Sequence, residues 1–224
     1  MRILIINPNS DPGMTEAIQS SAEAFTGGKF EVSTLRTPDA PRFLETYEDE
    51  VRCGPGMMRI LREHEADFDA FVIACHSDTN LHAAREVTRK PVVGIGEASM
   101  RLASFLGHGF SVITTHQHSI PGKLRQVRDL HLQDLLVSIR APEKGEEGWT
   151  DAELFMELSR RAITEDGAEV IVLGCAGLSG MDKTIQKTLG VPVLGGVACA
   201  LILATGFARY GVGTSKALGY NPEY

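Results

Sequence analysis

One succession of residues occurs twice in this chain, and it limits the folds open to it. The apolar run Phe71-Val72-Ile73-Ala74 ends on Cys75, passes through a helical stretch, and returns to Lys90-Pro91-Val92-Val93-Gly94. Later, Ile171-Val172-Leu173-Gly174 ends on Cys175, passes through a helical stretch, and returns to Val191-Pro192-Val193-Leu194-Gly195. Both copies then enter a helix of small residues, one starting near Ala98 and the other near Ala198. A second echo pairs Ile5-Ile6-Asn7-Pro8-Asn9-Ser10-Asp11-Pro12 with Ile113-Thr114-Thr115-His116-Gln117-His118-Ser119-Ile120-Pro121. Each is a strand running into a polar turn with serine and proline in register. Two related lobes follow, with a boundary near Gly96–Ser99. The expected division is residues 1–97 with about 208–224 in the first lobe, the C-terminal segment folding back, and 98–207 in the second.

Strands are expected at Arg2–Ile6, Phe30–Leu35, Ala70–Ala74, Val92–Ile95, Ser111–Thr115, Leu135–Ile139, Val170–Gly174 and Val191–Leu194. Helices are expected at Met14–Ala24, Met57–His64, Leu81–Val87, Ala98–Leu106, Asp151–Glu165, Lys183–Leu189 and Ala198–Ala208. Thr150 and Glu153 form a capping-box pair before the fifth of these. Strands apolar throughout and separated by helices imply parallel sheets covered on both faces. The class is α/β: two similar lobes, each a parallel four-stranded-type sheet flanked by helices, related by a pseudo-twofold axis about an active-site cleft.

Charge removes several functions. Lysine plus arginine number 22 against 29 acidic residues, a net charge of −7, so no basic footprint for nucleic acid or an anionic membrane is present. The apolar start Ile3–Ile6 stops at Asn7-Pro8, and the longest apolar run, Val197 to Ala204, falls well short of the roughly 20 residues that span a bilayer. A soluble cytoplasmic protein acting on a small molecule is expected. The four cysteines include no C-x-x-C pair and are read as free thiols. Cys53, beside a Gly-Pro-Gly turn, and Cys199, in a core-helix pattern, are read as buried packing residues.

Cys75 and Cys175 read differently. In open parallel sheets, ligands bind beyond the carboxyl ends of the strands, and each cysteine stands there, one per lobe. Facing lobes bring both sulfurs to one cleft. A helix start beside each thiol is expected to lower its pKa from about 8.5 toward neutrality. Two such thiols suit inversion of a carbon acid, in which a thiolate takes the proton from one face while a thiol delivers one to the other.

These residues also carry a resemblance. Ile5-Ile6-Asn7-Pro8-Asn9-Ser10 with Met14-Thr15, Val72–Cys75, Gly94-Ile95-Gly96-Glu97-Ala98, Phe110–Thr115, Leu173–Gly177, and Thr214-Ser215-Lys216 with Gly219-Tyr220 resemble the hydantoin racemases of the aspartate/glutamate racemase superfamily. The resemblance runs nearly end to end. It implies a two-lobed α/β fold and cofactor-independent racemisation, with Cys75 and Cys175 as the base–acid pair and Asn7, Thr114, Thr115, Ala176 and Gly177 lining the cleft. In the hydantoin reading the amides of Ser77, Thr79 and Gly177 are candidate donors to the developing enolate, and His76 either tunes Cys75 or meets substrate. Neither metal nor cofactor is expected, and a homo-oligomer is.

The chain departs from the family pattern after Cys75. The run His76-Ser77-Asp78-Thr79-Asn80 is more polar than usual, with Asn80 able to take the left-handed conformation of a glycine. Gly96 stands where the family often has a cysteine. His116-x-His118 has metal-ligand spacing and would need a third ligand such as Asp11 or His76. Gly94–Ser99 lacks the full dinucleotide fingerprint, and Gly211–Lys216 lacks the Lys-Ser/Thr order of a phosphate loop; both are read as turns. Two other readings stay open. One is an amino-acid racemase, cis–trans isomerase or decarboxylase of the same superfamily, and the other is a two-lobed binding protein without turnover.

Overall fold

The computed structural model describes residues 1–143, 152–221 and 223. In the first half, β1 (Arg2–Asn7), α1 (Pro12–Thr26), β2 (Glu31–Arg36), α2 (Tyr47–His64), β3 (Ala70–Ile73), α3 (Leu81–Val87), β4 (Val92–Gly94) and α4 (Ile95–Ala103) alternate strictly. The second half repeats the alternation: β5 (Phe110–Ile113), α5 (Ile120–Asp129), β6 (Leu136–Arg140), α6 (Ala152–Thr164), β7 (Val170–Leu173), α7 (Asp182–Leu189), β8 (Val193–Gly195) and α8 (Gly196–Tyr210). The strands form two parallel four-stranded sheets ordered β2-β1-β3-β4 and β6-β5-β7-β8, the same order in each half. The central strands β3 and β7 are buried at every residue, as near-continuous Val/Ile/Leu content requires of strands covered on both faces.

Two helices differ from the sequence reading, and both differences trace to proline and glycine. The reading starts a helix at Met57, since Gly54-Pro55-Gly56 resembles a turn, yet α2 begins ten residues earlier at Tyr47. A reciprocal capping box fixes that start: Thr46 Oγ1 accepts from the Asp49 amide at 3.1 Å, and Asp49 Oδ2 accepts from the Thr46 amide at 3.0 Å. The glycines inside α2 serve close packing, because a Cβ on Gly56 would stand 2.5 Å from Thr37 Cγ2. Cys53 therefore lies within a helix rather than beside a turn, and it is fully buried, as is Cys199 nearly so. No helix is expected over 120–129 either. Pro121 instead occupies the first turn of α5, where its missing N–H removes no intrahelical bond. The expected Thr150/Glu153 capping box involves Thr150, which lies outside the described residues.

The two halves exchange their last helices. Met100 and Ala103 of α4 pack among Phe110, Val112, Val170 and Val172 of the second sheet. In return Val197, Ala200, Leu201 and Ala204 of α8 pack among Ile3, Ile5, Val72 and Val93 of the first sheet. The division expected from chain order assigns 198–207 to the second lobe; the buried face of α8 belongs to the core of the first sheet. Beyond α8 the chain runs along the first half, where the Thr214 amide donates to Arg89 O at 2.8 Å and Lys216 Nζ donates to Arg85 O at 2.6 Å. Among the described residues no helix is long and apolar enough to cross a membrane.

Candidate active site

The carboxyl ends of the two central strands open onto a cleft of about 770 Å³ whose lining includes Cys75, Gly174 and Cys175. In-register pairing puts Ile6 beside Ile73 and Ile113 beside Leu173, so the turns after β1, β3, β5 and β7 all emerge at this level. Cys75 and Cys175 both lie two residues past a central strand, and both are partly exposed free thiols.

Their surroundings differ. Cys175 opens a 3-10 turn, Ala176–Leu178, and the Gly177 amide donates to its sulfur at 3.4 Å. Cys75 faces hydroxyls: Ser77 Oγ lies 3.1 Å from its sulfur, Thr79 Oγ1 3.6 Å away, and the two hydroxyls are 2.7 Å apart. Neither thiol directly precedes an α-helix in the chain, because α3 begins at Leu81 and α7 at Asp182. This corrects the expectation of helix-lowered thiols. For Cys175, burial raises the pKa above the ordinary value, with the Gly177 amide and Lys123 pulling against it and Cys75 adding to it. Cys53 and Cys199, buried in apolar cores, are pushed up to about 12.

The turn after Cys75 is held by the start of α4 and by α5. Asp78 and Asn80 both take left-handed backbone (φ 53° and 57°), as expected for Asn80. The Asp78 carboxylate accepts from the Gly96 amide at 2.9 Å, the Glu97 amide at 2.6 Å and Gln126 Nε2 at 2.8 Å. It thereby caps the N-terminus of α4 from a distant loop, using the free N–H groups every helix start presents. Gly96 makes this possible: a Cβ there would lie 2.3 Å from His76 O and 2.5 Å from Gln126 Nε2. The segment read as an incomplete dinucleotide loop is thus a docking place for an aspartate. Burial and the neighbouring Glu97 carboxylate push the Asp78 carboxyl up to about 7, against the pull of the two amides and Lys123. Glu97 itself pairs with Arg85.

His76 is buried, with its two ring nitrogens engaged differently. Ser99 Oγ donates to Ile95 O (2.8 Å) and Gly96 O (3.1 Å), so at 3.2 Å from His76 Nε2 it serves as the acceptor. The Nε2–H tautomer follows, leaving Nδ1 as acceptor for Lys123 Nζ at 2.9 Å. Burial first, and the Lys123 charge second, hold His76 well below the usual imidazole range, consistent with a neutral ring. Lys123 is itself buried, and burial lowers its pKa while Cys75, Asp78, Cys175 and Glu50 oppose the loss of its proton.

Of the sequence-predicted residues, Cys75, Cys175, His76, Ser77, Thr114, Thr115 and Ala176 line the cleft. Asn7, Thr79 and Gly177 stand behind its wall. Asn7 is fully buried and fixes the turn after β1, donating from Nδ2 to Asn9 Oδ1 at 2.8 Å and to Thr15 Oγ1 at 2.9 Å. Asn9 takes its place in the lining. Thr79 is buried against Ser77 and Cys75, and the Gly177 amide is spent on sulfur. The His116 and His118 rings lie 5.2 Å apart. Neither proposed third ligand joins them: Asp11 caps α1 and pairs with Arg42, while His76 is held by Ser99 and Lys123.

Lys123, Gln126 and Asp78 were not singled out as site residues by the sequence reading. A signal existed for α5, because the echo pairs Asp11-Pro12, which opens α1, with Ile120-Pro121.

The chain is similar to known proteins over nearly its whole length. The chain is 39% identical over 232 residues to a hydantoin racemase of Rhizobium meliloti, covering 98% of this chain and 94% of that one. It is 37% identical over 231 residues to a hydantoin racemase of Pseudomonas sp. (strain NS671), covering 100% of this chain and 92% of the relative. The solved allantoin racemase from Klebsiella pneumoniae superposes with a TM-score of 0.91 at 30% identity, covering 97% of this chain and 91% of that structure. The model of the Asp/Glu/Hydantoin racemase family matches residues 3–204. By sequence and by fold, the chain belongs to the Asp/Glu/Hydantoin racemase family.

Proposed function

We propose that this chain is a cofactor-independent racemase of 5-substituted hydantoins or allantoin-like ureides, using Cys75 and Cys175 as a two-base pair. The observation that carries the reading is the placement of two thiols at equivalent strand ends of two like-ordered sheets, on one cleft. The hydantoin and allantoin racemases among its relatives support a neutral ring as substrate. A cytoplasmic location and self-association belong to the same reading.

In each turnover one cysteine, as thiolate, removes the proton from C5 and becomes a thiol. The electron pair of the broken C–H bond delocalises into the adjacent ring carbonyl as an enolate. The other cysteine, as thiol, delivers its proton to the opposite face of C5 and becomes the thiolate. One proton has crossed the ring, nothing is oxidised or reduced, and the two sulfurs have exchanged roles for the opposite enantiomer. Thr114, Thr115 and Ser77, along the cleft, bear on the ring's heteroatoms.

The test is incubation with enantiopure 5-substituted hydantoins and allantoin in D₂O with EDTA present, for the wild type, Cys75→Ser and Cys175→Ser. The expected result is loss of optical rotation with deuterium entering at C5, reduced at least about a thousandfold by either substitution. Absence of both rotation change and exchange across the panel would overturn the ring substrate and turn the search to amino acids and small diacids.

A further inference from the structure

One buried cation on the cleft wall has no carboxylate in contact with it among the described residues. Lys123 is 6% exposed, yet no carboxylate lies within salt-bridge distance of it among the described residues; its one hydrogen-bond partner there is the neutral His76 Nδ1. A buried ammonium normally has a paired anion, since an isolated charge in a low-dielectric site is costly. Of the three arginines of the lining, Arg85 pairs with Glu97, Arg125 lies over the Tyr47 ring, 5.2 Å from its centroid, and Arg101 is exposed to solvent. The chemistry of the cleft needs one mobile anion throughout, first on one sulfur, then on the ring, then on the other sulfur. Lys123 stands on the cleft wall with both cysteines among the groups that bear electrostatically on it.

We propose that Lys123 is the fixed counter-cation of the cysteine pair, positioned by His76 and Ser99 so that the two thiols hold a single proton between them. Its place on α5 gives it to the second lobe, while His76 and Ser99 come from the turn after β3 and from α4, so both halves of the chain set its position. A neutral imidazole suits this task, because it anchors the ammonium through Nδ1 without cancelling its charge. The groups facing Lys123 are Cys75, His76 and Asp78 from the turn after β3, Cys175 after β7, and Glu50 of α2. This inference rests on the two-cysteine reading but does not require that the substrate be a hydantoin.

The experiment reads the thiols directly and needs no substrate. Iodoacetamide alkylation is followed across pH in Cys75→Ser and Cys175→Ser, each with Lys123 intact, as Lys123→Met and as Lys123→Arg, sites being identified by mass spectrometry. Lys123→Met is expected to raise the apparent pKa of the remaining thiol by about one unit, slowing alkylation at neutral pH about tenfold. Lys123→Arg is expected to recover most of that loss. An alkylation profile unmoved by Lys123→Met in both backgrounds would overturn the proposal.

Should Lys123→Met fail to fold, the wild type answers by reciprocity. Nζ resonances of ¹⁵N-lysine-labelled protein are titrated before and after both thiols are blocked with methyl methanethiosulfonate. Removal of the thiolate is expected to lower the Lys123 pKa by about one unit, and an unchanged value would overturn the proposal. If the alkylation result holds while no hydantoin turns over, the substrate assignment fails and the role of Lys123 stands.

Discussion

Asp78 and His76 are two residues apart in one turn and titrate in opposite senses. The Asp78 carboxyl, raised to about 7 from 3.8, makes the folded state hold a proton that the unfolded chain has released. Its contribution therefore falls as pH rises through the window between those values and is level above it. His76, held well below 6.5, does the reverse: the unfolded chain binds a proton that the folded state refuses, so stability rises with pH up to about 6.5. Each slope is at most about 1.4 kcal/mol per pH unit, and below about pH 6.5 they oppose one another. In Asp78→Asn the His76 slope stands alone. The variant is therefore expected to gain stability more steeply than the wild type as pH rises toward 6.5, as urea midpoints at half-unit steps would record. A variant with the wild-type pH dependence would refute the Asp78 assignment. The residues facing the cleft were legible to different degrees. Cys75 and Cys175 stand out because a strand end is a position that sequence alone defines. Asn7, Thr79 and Gly177 stand one layer behind the cleft lining; a pattern of residue types does not say whether a side chain ends in the cleft or on its neighbour. Lys123 and Gln126 were illegible because their partners lie 47 and 48 residues away in the chain.

At the scale of elements, α2 is the instructive case. Its first half presents Tyr47 and Glu50 to the cleft, and its start depends on the reciprocal bonds of Thr46 and Asp49. Thr46→Ala removes the hydroxyl that accepts from the Asp49 amide and is expected to cost about 1 kcal/mol. The check is a lower urea midpoint at unchanged slope, with faster amide exchange confined to residues 48–51; exchange unaltered there would mean the helix is held by its packing alone. The inner strands were legible because buried parallel strands are apolar at nearly every position, while the edge strands β2 and β6, with polar residues and little burial, were legible from their β-branched content and their place between helices. The helices were legible where their amphipathic pattern is uninterrupted. The first half of α2 was hidden by Gly54-Pro55-Gly56, whose glycines answer tertiary demands at Asn80 and Thr37 rather than a local preference for turning. Helix α5 was hidden by Pro121, a residue that starts helices as readily as it ends them.

For the whole molecule, the exchange of α4 and α8 makes each core depend on a segment from the other half of the chain. Leu201 is fully buried on α8 among residues of β1, β3 and β4. Leu201→Ala is expected to cost about 2–5 kcal/mol and to lower protection of β1 and β7 amides together in native-state hydrogen exchange, with a single calorimetric transition. Early loss of β1 alone, leaving β7 protected, would show that the two sheets unfold separately. The same exchange shapes how the protein is made. Strands β1 to β4 are complete once Gly94 is synthesised, but the helix that covers one face of their sheet begins only at Gly196. At roughly 5–20 residues per second, the intervening stretch takes on the order of 10 s to translate. During that interval the nascent chain carries Ile3, Ile5, Val72 and Val93 on a sheet face that α1 covers only in part, a surface suited to chaperone capture or to premature association with another nascent copy.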